Sequence, residues 1–432
     1  MSVLLKRYGL STTGNRATWT FSAWIKRSRE LSGSEFIFSS NDERTGGTYY
    51  SSLFFSGNSL RYYDYHSGSQ QKYLVTNRKF RDTNGWYHIV FRNDTTQATA
   101  SDRFRMYVNG VQETSFSSSS YPSQNDNSGF VNYTGMDNYI GTQTNNLNEH
   151  FLGSMSHIHL CDGYSYAPTE FGETDSTTGE WKIKTNPSVS YGTNGFFILK
   201  DGNSVTDQSG NSNNFSVGSG TLTKTEDNPS NVFCTMNPLS TGTDVAFSTG
   251  NNTIRNDTST WNSTTGTIAF GNGKYYFEAK RYGGGGTANV GITLSSKFGG
   301  NHSDVDTGRI MYSSNGTVYK EGVSDGNNTS AGTFGDGDII GVSMDTENGV
   351  LKFYKNNTLV DTTTNTSLLY TNNEYIPACG TYNGAEFNLN FGNGYFKTTA
   401  VSSAGTNASG NGIFEYDVPT GFTALSTKGL NE

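Results

Sequence analysis

The sequence predicts an all-β chain of antiparallel strands divided into more than one domain, and three observations carry that expectation. Only 32% of the residues are hydrophobic, yet 13% are aromatic, with 26 Tyr and 27 Phe; disordered chains are equally polar but lack the rings. Aromatics alternating with Thr and Ser, punctuated by 52 Gly and by Asn, suit pleated strands and tight turns. No window sustains a 3.6-residue apolar period, so helices should be few. At 432 residues the chain also exceeds one ordinary core, which implies two or three domains.

The strands follow in order. In WTFSAWIK, Trp19, Phe21, Ala23 and Ile25 share one face, Thr20 and Ser22 the other, and Trp24 falls on that otherwise polar face. SSLFFSGNSLRYYDY is a hairpin with Gly57 and Asn58 as its two-residue turn. GWYHIVFRND begins a strand at Trp86, and RFRMYVNGVQETSF goes up and back about Asn109 and Gly110, a type I′ pair. YIGTQ and FLGSMSHIHLCDG add two strands before the pattern breaks near Gly163. From Tyr164 to about Ser240 the chain is loop-rich and holds Pro168, Pro187, Pro229 and Pro238, four of its 7 prolines, around one strand at Phe196, Phe197, Ile198 and Leu199. A second strand-rich block, from Asp244 to Lys397, contains GKYYFEAKR, NVGITL, GRIMYSSNGTVYKEG, GDIIGVSMDTENGVLKFYKNNTLV and AEFNLNFG. Its KFYKNNTL restates the hairpin of RMYVNGVQ. The expected division is a sandwich at 1–172, a bridging segment at 173–240, a second sandwich at 241–400 and a short polar tail at 401–432.

Charge and cysteine usage exclude several classes. A net charge of -8 with 16% charged residues offers no basic stripe for nucleic acid. No apolar run is long enough to span a bilayer as a helix, and that in MSVLLKRYGL is too short for a signal peptide. Cys161, Cys234 and Cys379 are odd in number and far apart, which suits reduced, buried thiols in a chain made in a cytosol.

WTFSAWIKR, WYHIVFRND, FRMYVNGVQ, YIG and FLGSMSHIHLCDG…APTEF resemble, in order and spacing, a laminin-G-like, concanavalin-type sandwich over residues 1–172. The second block resembles a SPRY domain through KYYFE at 274–278, VGI at 290–292, GDIIGV at 337–342, Asp345, LKFY at 351–354 and the closing Phe391 and Gly392. Both resemblances imply two-sheet jelly rolls. The fold class is therefore two antiparallel jelly-roll (concanavalin-like) β-sandwiches joined by a loop-rich bridge, and the repeated hairpin follows from shared architecture. The order of the whole chain, including FGETDSTTGEWKIK, YGTNGFFILKD, DQSGNSNNF and VPTGFTAL, resembles structural proteins of tailed bacteriophages, notably marine ones. That likeness implies a virion protein assembled in the host bacterial cytoplasm, with other virion proteins as partners.

Concanavalin-type sandwiches include β-glucanases, whose paired carboxylates share one strand. The nearest text here is Glu173-Thr174-Asp175, set in a Gly/Thr-rich turn and read as a solvated loop. His157 and His159 share a strand face near His150, but a metal needs further ligands, so they are read as packed strand histidines. NDERTGG, DQSGNSNN and GNHSDVDTG offer oxygens for Ca²⁺, but Asp and Asn simply favour turns, so these are read as turns and no cofactor is expected. No nucleophile elbow, P-loop or CxxC is present, and the expectation is a non-enzyme.

Rings are the remaining functional material. Tyr63 and Tyr65 share a face opposite Tyr62, while Tyr282 and Tyr312 adjoin glycine-rich loops; these four are the glycan-binding candidates. The expected function is a virion structural protein, a knob on a tail or head fibre that binds host-surface glycan or protein. A decoration protein contacting only virion partners is the alternative, and a glycan-degrading tailspike a third. No heptads or short repeats supply a shaft, so the chain would be an appended module, multicopy or homo-oligomeric because single-ring sugar contacts are weak.

Overall fold

The computed structural model describes residues 3–431 apart from 30–32, 43–47, 68, 145–148, 201, 203, 243, 284, 298–307, 321–325, 365–372 and 403–406. It divides into two compact units, Met1–Lys224 and Thr225–Glu432. Among the described residues the helical elements are one turn at Ala100–Arg103 and three 3₁₀ turns; strands dominate, as the missing 3.6 period requires.

The first unit is a two-sheet sandwich. Its eight-stranded sheet runs Phe116–Ser120, Ser69–Thr76, Ser59–His66, Tyr49–Ser56, Ser34–Asn41, Asp137–Ile140, Leu4–Arg7, Ser216–Ser219. The six-stranded sheet runs Phe196–Ile198, Gly153–Asp162, Thr18–Arg27, Tyr87–Asp94, Phe104–Val108, Val111–Gln112. Trp19, Phe21, Ala23 and Ile25 meet Ile37, Phe38, Leu53, Phe55 and Tyr62 in one core. Phe21 stacks on Phe38 with ring centroids 4.9 Å apart, and Tyr62 on Phe91 at 4.1 Å, so the two-residue period of each strand places its rings between the sheets.

The second unit repeats the plan. One sheet runs Met236–Thr241, Asn262–Gly266, Tyr375–Thr381, Ala288–Leu294, Arg309–Ser313, Val318–Lys320. The other runs Ala246–Ser248, Thr253–Asn256, Ala385–Asn390, Lys274–Tyr282, Ile339–Asp345, Val350–Lys355, Thr358–Thr364, with Thr423–Ala424 added parallel to Lys274–Tyr282. The repeated hairpins are equivalent. Asn109 and Gly110 have φ of 48° and 78°, Asn356 and Asn357 of 47° and 67°, the left-handed pairs that match strand twist. In each, the first Asn donates its N–H to the first residues of the neighbouring strand (His88 O, 2.9 Å; Ile339 O, 2.8 Å) and accepts the return N–H on Oδ1 (2.7 and 2.9 Å).

Two expectations change. The segment at 173–240 is no separate bridge: Phe196–Ile198 and Ser216–Ser219 are strands of the first unit's two sheets, and the division falls after Lys224. The tail at 401–432 is no polar appendage either. Phe414, Val418 and Ala424 bury against Tyr276 and Phe233, and Leu425 enters the second core. The strand at Phe196–Ile198 stands where the sequence placed one, whereas Ser216–Ser219 and the tail lack the apolar alternation that marks a strand and gave no such signal.

Trp24 explains what the loop-rich segment does. The outer face of the six-stranded sheet carries Trp24, stacked on His88 at 4.8 Å, and the hairpin Gly172–Thr174/Trp181–Ile183 brings Trp181 to stack on His88 from beyond at 5.9 Å. The fit depends on glycine: a Cβ at Gly172 would meet the Trp181 ring at 2.5 Å, and one at Gly110 at 2.6 Å. Trp181→Ala should lower the stability of this unit by about 3 kcal/mol, read as a lower urea midpoint with a red-shifted Trp24 emission; an unchanged midpoint would show the hairpin to be ornamental.

Candidate functional site

On the strand Ser59–His66, Tyr62 and Asp64 point inward and Arg61, Tyr63 and Tyr65 outward. Register brings partners to the outer residues: Tyr65 faces Tyr50, and Tyr63 lies between Ser52 and Tyr73. The Tyr50 and Tyr65 rings stack at 4.8 Å and 14°, Tyr63 meets Tyr73 edge-on at 5.9 Å, and the row continues inward through Phe54 and Phe36. Arg61 Nη1 donates to Tyr63 Oη at 3.1 Å. The four tyrosines are half-buried, fixed by their neighbours yet open on one side. Burial, with Tyr65 adding to it, pushes the Tyr50 phenol up to about 12, so it stays a neutral donor. This is a rigid platform of rings and hydroxyls beside a guanidinium, suited to the apolar face and hydroxyls of a sugar.

The inward side chains of the same strand line a narrow, open-mouthed cleft with Arg16, Lys72, Asn93 and Asp126. Asp64 accepts from Tyr62 Oη at 2.8 Å and from Ser51 Oγ. Lys72 Nζ lies 2.8 Å from Asp126 and 3.8 Å from Asp64. Burial raises the Asp64 carboxyl, and Lys72 is the main opposing influence. The two carboxylates share one ammonium, which holds them as ion-pair partners.

The other expected sites resolve residue by residue. Asp175 accepts from Thr177 N at 2.8 Å and Thr178 N at 3.0 Å, with Lys182 at 3.2 Å. Those backbone donors, then Lys182, pull its pKa to about 2, so it caps a turn and holds no proton to give. Asp207 of DQSGNSNN spends both oxygens on Phe197 N, Ser209 N, Ser209 Oγ and Asn213 N at 2.7–2.9 Å, which makes that loop a turn. Residues 43–47 and 300–307, the greater part of the other two proposed calcium loops, lie outside the described ones. His159 stacks on Phe197 at 4.0 Å with Nδ1 against Tyr191 Oη, and His157 Nδ1 meets Ser156 Oγ. Among the described residues no three His, Cys, Asp or Glu side chains gather as a metal site. The three cysteines are buried and form no disulfide among the described residues, and burial raises the thiols of Cys161 and Cys379.

A buried Ser–His contact went unforeseen. Ser22 Oγ lies 2.9 Å from His88 Nε2, but Trp181 Nε1–H donates to His88 Nδ1 at 3.0 Å. Nδ1 is therefore the acceptor and Nε2 carries the proton, the reverse of what activating the serine requires. Burial depresses this ring to about 3, so it is neutral and structural.

In the second unit Tyr282 is half exposed, with Lys397 Nζ 5.1 Å from its ring centre. Arg281 holds its loop, donating to the carbonyls of Tyr282, Gly283 and Gly286 at 2.6–2.8 Å. Tyr312 is a correction. It is 0% exposed, donates to Ala331 O at 3.1 Å and packs on Phe334 and Phe353, because Ile310 and Tyr312, not Met311, face the core. Sequence reading missed the half-buried pair Trp261 and Tyr382, stacked at 5.7 Å beside Gly286, whose Cβ would strike Tyr382 O. A Tyr before Asn383-Gly384 marked the turn without telling an open ring from a core one.

Residues 7–170 match the family described as the Concanavalin A-like lectin/glucanases superfamily, and residues 274–394 match the SPRY domain. No curated protein matches the chain. Among solved structures, the SPRY domain of human HERC1 is 16% identical and covers 36% of this chain and 96% of its own, at a TM-score of 0.29. The native heptameric SAP-like pentraxin from Limulus polyphemus is 16% identical over 38% of this chain and 72% of that one, at 0.27, and the TRIM65 PSpry domain is 13% identical over 36% and 88%, at 0.28. The chain thus carries a concanavalin-like domain in its first unit and a SPRY domain in its second.

Proposed function

We propose that this chain is a non-catalytic adhesion protein that holds host-surface glycan on the tyrosine platform of its first sandwich, as a multicopy component of a bacteriophage virion. The single observation that carries the glycan reading is the stacked Tyr50–Tyr65 pair beside Tyr63, Tyr73 and Arg61. The virion setting rests on the likeness of the whole sequence order to tailed-phage structural proteins, with other virion proteins as further partners. The non-catalytic reading is supported by the Lys72-neutralised carboxylates, the turn-capping Asp175 and the reversed His88 tautomer. Each platform should bind at about millimolar strength, and adhesion then follows from many copies, which raise avidity by roughly 10² to 10⁴.

The test is adsorption. Purified protein should bind host cells and compete with phage attachment, and Tyr63→Ala with Tyr65→Ala should weaken binding by roughly tenfold, about 1.4 kcal/mol, at unchanged circular dichroism. If the protein neither binds nor competes, and virions lacking it adsorb normally but lose physical stability, it is a decoration protein instead.

A further inference from the structure

We propose that Lys320, Asn328 and Asp361 form a self-acting cross-linking site that joins Lys320 Nζ to Asn328 Cγ as an isopeptide bond. Val318–Lys320 and Thr358–Thr364 are edge strands of opposite sheets of the second unit. Lys320 lies opposite Ile310 and Asp361 opposite Phe353, both core residues, so register turns the two charged side chains into the space between the sheets. There they are 6% and 4% exposed, with Nζ 3.2 Å from Asp361 Oδ1. Asn328 is held beside them by a two-way backbone pair with Val318, at 2.8 and 3.1 Å, which puts its side chain on the same face. Its Nδ2 donates to the same Asp361 Oδ1 at 2.9 Å, while Thr363 Oγ1 fixes Oδ2 at 2.9 Å.

One carboxylate oxygen therefore touches both the attacking and the departing nitrogen of an amide exchange. Asp361 Oδ1, 3.2 Å from Nζ, is placed to act as the base that takes the proton as the Lys320 nitrogen attacks. The amine lone pair attacks Asn328 Cγ, and the Cγ–Nδ2 bond breaks. The two protons lost by Nζ pass through Asp361 to Nδ2, which leaves as ammonium, and Asp361 ends as the carboxylate it began. The exchange needs no oxidant or co-reactant, and confinement replaces the entropy of encounter. It would tie the edge strand Val318–Lys320 covalently to Asn328. The inference is independent of the glycan reading.

Intact-mass measurement of the denatured full chain is the test. The expected result is a mass below that of the sequence by one ammonia, with trypsin failing to cut after Lys320 and peptide sequencing locating the loss in the Lys320–Asn328 link. Asp361→Asn and Lys320→Arg should restore the full mass, at an unchanged circular dichroism spectrum. A wild-type chain of full mass that is cut after Lys320 overturns the proposal, whatever the variants do. So does an ammonia loss mapped to another residue with Lys320 still cleaved.

Discussion

Arg27→Met should destabilise the first unit by about 3–5 kcal/mol, the largest effect expected of any single substitution here. Arg27 is 1% exposed and Glu35 0%, and the guanidinium does more than pair with that carboxylate. It donates to Glu35 through Nε at 3.0 Å and through Nη2, to Phe80 O at 2.6 Å, to Asn58 Oδ1 at 3.1 Å and to Gly57 O at 3.2 Å, and it lies over the Phe55 ring at 4.5 Å. One side chain thus joins strands of both sheets to a hairpin turn. Met fills similar volume but leaves Glu35 as a buried charge with its main counter-ion gone. Burial already raises the Glu35 pKa and Arg27 is the chief opposing influence, so the variant should raise it further. Stability of the variant should then fall with rising pH. Arg27→Met with Glu35→Leu should recover much of the loss, because removing both charges removes the desolvation cost. A single variant whose urea midpoint stays within about 1 kcal/mol of wild type would contradict the account.

Glu278 should make the second unit less stable in alkali. Its carboxyl is 0% exposed and accepts from Glu415 N at 2.9 Å, Tyr416 N at 3.0 Å, Asn390 Nδ2 at 3.2 Å and Tyr276 Oη at 3.2 Å, clasping the C-terminal segment to the sheet. Burial outweighs those donors and lifts the pKa from 4.5 to about 7. A carboxyl whose folded pKa stands above its unfolded value holds its proton more tightly in the fold. Its contribution is full below 4.5 and is lost as pH rises through about 7, with a span of roughly 3 kcal/mol. Thermal midpoints should fall between pH 5 and 8, with the stretch after Glu415 becoming open to protease first. Glu278→Gln should flatten that dependence; a wild-type midpoint that rises over the same interval would refute the assignment.

The legible parts of the fold were those written in period two. Trp19, Phe21, Ala23 and Ile25 announce their core face, and the Asn-centred pairs at 109 and 356 announce hairpins whose φ values agree. Trp24 was visible as an anomaly, yet its partner Trp181 sits in a short hairpin far along the chain, and pattern reading has no access to such a distance. The same limit applies to sites. Tyr63 and Tyr65 are placed by alternation, whereas Tyr312 adjoins a loop in sequence and lies in the core in space. Phe414, Val418 and Leu425 are spaced without strand or helix period because they cover a sheet as irregular chain.

The strand Leu4–Arg7 lies between Asp137–Ile140 and Ser216–Ser219. On the ribosome this strand must therefore wait unpaired until its later-made partners emerge, the second of them close to the end of its unit. Closure of that sheet is governed by long-range pairing, which is slow because loop entropy is spent before contacts return it. Throughout synthesis the nascent chain exposes open edges of Ser-, Tyr- and Phe-rich strands, the kind of surface that pairs with neighbouring chains. The yield of folded protein should accordingly depend on translation rate and on chaperone supply during the time taken to make residues 141–219.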